Sequence, residues 1–203
     1  MPDIAFPSGD RAELPAAAGP LFLDARTPQA WSDRPVPLAT LHRLYELARL
    51  APTAFNGSPA RFVFLTTPEA KERLRPALTK GNLGKLNAGA IAIVGYDLRF
   101  FEHLPRLSPH YDPSALFTDN PALAETTAFR NGTLQAGYLI LAARLLGLDA
   151  GPMSGFDAAK VDAEFFPDGR VRANILVALG HAEGPPARPR APRLEVAEAA
   201  TFL

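Results

Sequence analysis

Residues 51–62 read APTAFNGSPARF, and they separate two runs of opposite character. Before them, LATLHRLYELARL sets Leu41, Leu44, Leu47 and Leu50 at helical spacing. After them, FVFL reads as a short buried strand. A helix-to-strand connection needs only a handful of residues. A stiff turn accounts for part of this one. Pro52 ends the helix, Asn56-Gly57 suits positive φ, and Pro59 is expected to hold Ser58 extended. Two hydroxyls, an asparagine and an exposed-looking phenylalanine are more than a turn requires, so the stretch alone leaves a ligand-contacting loop equally open.

Outward from this loop, the coarse reading is α+β with no internal repeat. Helices are expected at about 11–24, 38–50, 68–78, 98–104, 121–147 and 157–165, and strands at about 61–65, 90–96 and 173–180. Thr79–Asn87 reads as a polar loop, 105–118 as irregular, and LDAGPMSGFD as a turn. From Leu134 the long helix continues LQAGYLILAARLLGL, apolar on nearly every side. Such a helix is buried on several faces, either in a monomer's core or in a dimer interface.

At 203 residues the chain suits a single domain, 1–203. Acidic and basic residues balance at 21 each, so no global field recruits nucleic acid or an anionic membrane. No apolar run approaches the roughly 20 residues of a membrane span, and MPDIAFPSGDRAELPAAAG lacks the pattern of a secretory signal. A cytoplasmic address is the expectation. With no cysteine, disulfides, thiolate catalysis and Cys-ligated zinc are excluded. The 21 prolines, roughly double the average share, gather in the N-terminal arm, the middle and the tail, as in a packed centre with extended arms or a proline-rich disordered tail.

Neither G-x-G-x-x-G after a strand nor G-K-[ST] is present. His42, His103, His110 and His181 have no metal-ligand spacing, so no metal is expected. Ser154 lies in M-S-G-F, which is not a nucleophile elbow. Four segments carry more polar chemistry than a plain fold demands, although each also reads as solvated surface: DARTP at 24–28, GNLGK at 81–85, GPMSGF at 151–156 and RPR at 188–190. The third, as a tight turn, would let backbone approach a ligand.

In order and combination these segments resemble the FMN-dependent nitroreductase family, from Asp24 to Pro192. Residues 52–60 are similar to its A-P-S-S-x-N-x-Q-P-W signature, with Ser58 standing at the glutamine and Ala60 at the tryptophan. LFLDART, APTAFNGSPAR, KGNLGK, TTAFRN and GLDAGPMSGFD most resemble the HadB/RutE-like subgroup, which includes malonic semialdehyde reductase of pyrimidine degradation. The resemblance implies an α+β nitroreductase-like fold, with a central antiparallel or mixed sheet flanked by helices. It also implies an interlocked homodimer with extended arms and FMN at the subunit interface.

It further implies roles. Arg26, Arg188 and Arg190 would grip the FMN phosphate beside Thr27, since guanidinium suits that dianion; Gln29 stands where the family usually has a second basic residue. Pro52, Thr53, Ala54, Asn56 and Ser58 would lie against the flavin held mainly by the other subunit. Asn82 and Lys85 would face its pyrimidine edge, where an ammonium favours the reduced state. Pro152, Met153, Ser154 and Gly155 would approach N5, Ser154 through its backbone N–H. Ser154 and Lys85 are thus the candidate catalytic residues. The implied cycle is ping-pong, NAD(P)H reducing the flavin and a small acceptor reoxidising it. Malonic semialdehyde would become 3-hydroxypropanoate, with Arg61 and Arg130 as candidates for its carboxylate. A general nitro or quinone reductase, and a non-catalytic FMN-binding protein, are the alternatives.

Overall fold

A computed structural model describes residues 14–186 and 188–203; the expected helix at 11–24 lies partly outside them. A π-helical stretch, Gly19–Leu23, comes first. Then follow α1 (Leu38–Ala48), β1 (Ala60–Leu65), α2 (Pro68–Leu74), β2 (Ala90–Asp97), α3 (Leu104–Leu107), α4 (Ser114–Thr118) and α5 (Pro121–Leu145). β3 (Asp149–Met153), α6 (Ala158–Phe165), β4 (Val171–Gly180) and α7 (Val196–Ala199) complete the order.

The strands form one sheet in the order β1-β2-β4-β3, and every pairing is antiparallel. β2 is buried from Ala90 to Gly95 because both of its faces are covered. Ala90, Ala92 and Val94 meet Leu41 and Leu44 of α1 and Ala136, Leu139 and Ala143 of α5. Ile91 and Ile93 meet Leu74, Leu86, Val161 and Trp31 on the opposite side. Between Val94 and Gly95 the register slips, leaving Asn174 of β4 unmatched. Val171 and Ala173 therefore share a layer with Leu176 and Ala178, as a one-residue bulge demands.

Caps follow the sequence. Thr67 Oγ1 accepts from the Ala70 amide at the start of α2, Asn120 Oδ1 from Leu123 at α5, and Asp157 Oδ1 from Lys160 at α6. A third cluster of Phe100, Leu104, Phe117, Ala124 and Ala128 fastens the 98–118 excursion to the first half of α5.

Several expectations need correction. The 149–153 stretch is not a turn but the edge strand β3, with Gly151 opposite Ala178 and Pro152 opposite Val177. Proline is tolerated there because an edge strand leaves alternate N–H groups unpaired. Lys80–Asn87 is wound as a 3₁₀ helix rather than left as loop, and the irregular middle contains α4. α5 is not buried all round: Leu123, Leu134, Tyr138 and Leu145 are about half exposed along one side, while Phe129 on the other flank leans on Tyr96. Among the described residues, no helix is long and apolar enough to cross a membrane.

Candidate functional site

Two groups of residues stand at opposite edges of the sheet. The first surrounds β3. Gly151 is closely surrounded: a Cβ there would lie 3.1 Å from Trp31 Cζ2, 3.2 Å from Lys85 Nζ and 3.4 Å from Thr27 Cγ2. Three expected or buried side chains thus converge on one backbone position. The Lys85 ammonium has no bonded partner among the described residues, and burial lowers its pKa from the ordinary 10.5. The Trp31 indole N–H is buried and likewise has no acceptor.

The 3₁₀ winding that carries Lys85 is buttoned to the end of β3. Asn82 Nδ2 and Thr79 Oγ1 both donate to the Gly155 carbonyl at 2.9 Å, and the Thr79 amide joins them at 3.1 Å. A Cβ on Gly155 would come within 2.8 Å of Asn82 Nδ2 and 2.9 Å of Thr79 Oγ1, so only glycine lets these two side chains close on the backbone. Met153 is buried, leaving it only backbone to offer a ligand, whereas Pro152 and Ser154 are exposed.

The tail reaches the same end of the molecule. The Arg190 guanidinium donates to the carbonyls of Phe22, Leu23 and Ala25, at 3.2, 2.7 and 2.9 Å, next to Arg26 and Thr27. Arg188 is exposed. Sequence reasoning missed Arg144, at the last turn of α5, which donates to the Leu21 carbonyl at 2.8 Å. Burial lowers its pKa, and the like charge of Arg190 adds to this, against the pull of Asp149. The available signal was a cation in the final helical turn, a common answer to orphan carbonyls.

The second group is the 51–62 loop at the β1 edge. Its backbone is as expected only at Asn56, which takes the positive φ its type suits. Gly57 has an ordinary φ of −70°, while Phe55, Asn56 and Ser58 take positive values of 53°, 55° and 43°. Pro59 does not hold Ser58 extended. Gly57 is required for space instead, since a Cβ would lie 2.8 Å from the Phe100 ring. Three non-glycine residues in the left-handed region represent strain of about 1–3 kcal/mol each. Thr53 Oγ1 accepts from the Ser58 amide at 3.1 Å and Asn56 Nδ2 donates to Leu107 O at 2.9 Å. The Phe55 ring leans on Tyr111 and Phe117.

Beside this loop a groove of about 930 Å³ opens along the unpaired edge of β1, between Tyr45 of α1, Phe62, Phe64 and Arg106. Arg61 lines it, but its guanidinium is committed. It donates to Asp97 Oδ2 at 2.5 Å and to the carbonyls of Ser58 and Ala60. Asp97 also accepts from Arg170, at 2.9 and 3.0 Å, and from the Arg99 amide. Burial pushes the Asp97 carboxyl up, yet these donors outweigh it and hold the group below its usual 3.8. Arg130 stands exposed on α5 with no bonded partner among the described residues. No cluster of described residues could hold a metal ion.

Within one chain, then, Thr27, Lys85, Gly151 and Gly155 come together with Arg26 and Arg190 nearby, while the 52–58 loop belongs to the far edge. Comparison with known proteins adds relatives. A family model described as the nitroreductase family matches residues 24–181. A Burkholderia lata protein bearing the provisional name NADH dehydrogenase/NAD(P)H nitroreductase is 58% identical over 181 residues, 89% of this chain and 93% of that one. A Bacillus subtilis structure described as a nitroreductase superposes with a TM-score of 0.81 at 23% identity, covering 90% of this chain and 97% of that one. A structure from Exiguobacterium sibiricum, described as a nitroreductase in complex with FMN, gives 0.76 at 18% identity, over 90% and 95%.

Proposed function

This chain belongs to the nitroreductase family, and from that premise we propose that it is an FMN-dependent homodimeric enzyme that moves hydride from NAD(P)H to a small acceptor. NAD(P)H-dependent oxidoreduction is the activity in the name of its 58% identical relative. The observation that carries the reading is the convergence of Lys85, Thr27 and Trp31 on Gly151, with Arg190 docked beside Arg26.

The donor set suits FMN. A half-buried ammonium without a carboxylate partner and a buried indole N–H without an acceptor match an anionic, hydrogen-bonding ligand better than they match core. Pro152 and Ser154, exposed at the end of β3, leave backbone where a flat ring would approach. When bound, FMN supplies two-electron chemistry between donor and acceptor. Arg26, Arg188 and Arg190 hold the phosphate with Thr27, and Asn82 and Lys85 hold the polar ring edge. The positive charge of Lys85 stabilises negative charge on that edge. Pro152, Met153, Ser154 and Gly155 present backbone, with the Ser154 amide as the donor. Pro52, Thr53, Ala54, Asn56 and Ser58 complete the cleft from the partner, because in their own chain they lie at the opposite sheet edge. The apolar stripe of α5 and the open edge of β1 are the surfaces a second copy would cover. We place the dimer in the cytoplasm with its NAD(P)H donor.

For the acceptor, the HadB/RutE-like resemblance favours malonic semialdehyde, and the relative's name favours nitro compounds. Of the two candidate arginines, Arg130 is the better match for an acceptor carboxylate, since Arg61 is engaged with Asp97. Parallel turnover assays decide: a preference for malonic semialdehyde over a quinone and a nitroarene, with KM raised about tenfold in Arg130→Ala, supports the first reading. Turnover of only the latter two leaves a general nitro or quinone reductase. A protein that binds no flavin, or whose flavin NAD(P)H does not bleach anaerobically, overturns both.

A further inference from the structure

We propose that Asn131 and Gln135, two buried amides one turn apart on α5, are positioning residues that hold the 52–58 loop in its strained, flavin-contacting shape; the flavin contact rests on the function proposed above. Asn131 Oδ1 accepts from the Ala54 amide at 2.8 Å, and Gln135 Oε1 accepts from the Ala60 amide at 2.8 Å. The two bonds grip the loop on either side of its positive-φ residues, Phe55, Asn56 and Ser58. Asn131 is itself oriented, its Nδ2 donating to the Thr127 carbonyl at 2.8 Å, so its oxygen is turned toward Ala54. Gln135 is 2% exposed and Asn131 9%, on a helix side otherwise built of Ala124, Ala128, Gly132, Ala136 and Leu139.

Polar groups in a helix's core side need a reason, because an apolar residue packs there without having to satisfy donors and acceptors. Here they answer loop N–H groups that no strand or helix reaches. A strained backbone persists only where its surroundings over-determine it, and one rigid helix meeting both ends of the loop does so. Released from Asn131, the Ala54–Ser58 stretch would relax and ligand binding would have to reorder it.

The test uses the full chain with and without added FMN. Amide hydrogen exchange is followed in the FMN-free protein, and FMN affinity by flavin fluorescence. Asn131→Leu keeps the branched four-atom outline of the side chain and removes its bonds to Ala54 and Thr127, whereas Asn131→Asp keeps an oxygen for Ala54. For Asn131→Leu, exchange over 54–58 should accelerate at least tenfold with β2 and β4 unchanged, and FMN affinity should fall at least tenfold. Asn131→Asp should restore most of both. Loop exchange within twofold of wild type in Asn131→Leu, or no rescue by Asn131→Asp relative to Leu, overturns the proposal. If wild type binds no FMN, the flavin site fails, while the exchange arm still decides whether Asn131 holds the loop.

Discussion

Asp97 shows how one carboxylate can tie three segments. It is 1% exposed and joins β1 through Arg61, the approach to β4 through Arg170, and the turn after β2 through the Arg99 amide. Asp97→Asn leaves two guanidinium groups facing a neutral amide, and breaking a buried pair costs about 3–5 kcal/mol. Thermal unfolding should fall by about 6–20 °C at neutral pH, from about 2–4 °C per kcal/mol at this chain size. Because the folded carboxyl is held below 3.8, its contribution is full above that value and disappears as pH falls through the folded pKa. The gap in melting temperature between wild type and Asp97→Asn should therefore close only below about pH 4. Sequence gave Arg61 a choice between substrate and structure, and Asp97 stayed unremarked, since a lone Asp after an apolar run looks like any strand end. Asn131 and Gln135 were equally silent, because a buried amide and a solvated one read alike until the chain that they bond is seen.

At the scale of elements, β2 and α5 explain each other. Ala90 and Ala92 face Ala136 and Ala143 across the layer, and small side chains on both surfaces let the helix lie close to the sheet. Ala92→Leu forces three carbons into that contact and should destabilise by about 1–3 kcal/mol in urea unfolding, with an unchanged m-value. α1 was legible from its helical leucine spacing, β1 and β2 from short apolar runs between turn residues, and α5 from its length. β3 was not, since Asp-Ala-Gly-Pro-Met has the low strand propensity of a turn, and pairing with β4 overrides it. The loop at 51–58 was legible as special but wrong in detail. Its glycine serves a close approach to Phe100, and the positive φ extends from Asn56 to Phe55 and Ser58, which would avoid it without tertiary support.

For the whole molecule the decisive fact is division. The Lys85 group sits at the β3 edge, the 52–58 loop at the β1 edge, and two intervening strands separate them. At about 4.8 Å per strand, some 14 Å of sheet lies between the edges. In the dimer proposed above, the apolar stripe of Leu123, Leu134, Tyr138 and Leu145 is the surface on which a second copy would join them. Leu134→Asp puts a charge into that stripe, and light scattering should report a monomer that has lost flavin together with its partner, while its circular dichroism stays that of the wild type. A wild-type chain that is monomeric yet fully active would contradict the shared cleft.

The same division makes the protein a candidate for complementation. One parent would carry Lys85→Ala, the other Asn56→Ala, each nearly inert alone. Co-refolded in equal amounts, half of the pairs would be hybrids, and every hybrid would combine both lesions in one cleft and neither in the other. A quarter of all clefts would be whole again, so two dead preparations should yield about one-fourth of normal turnover once their subunits are shuffled.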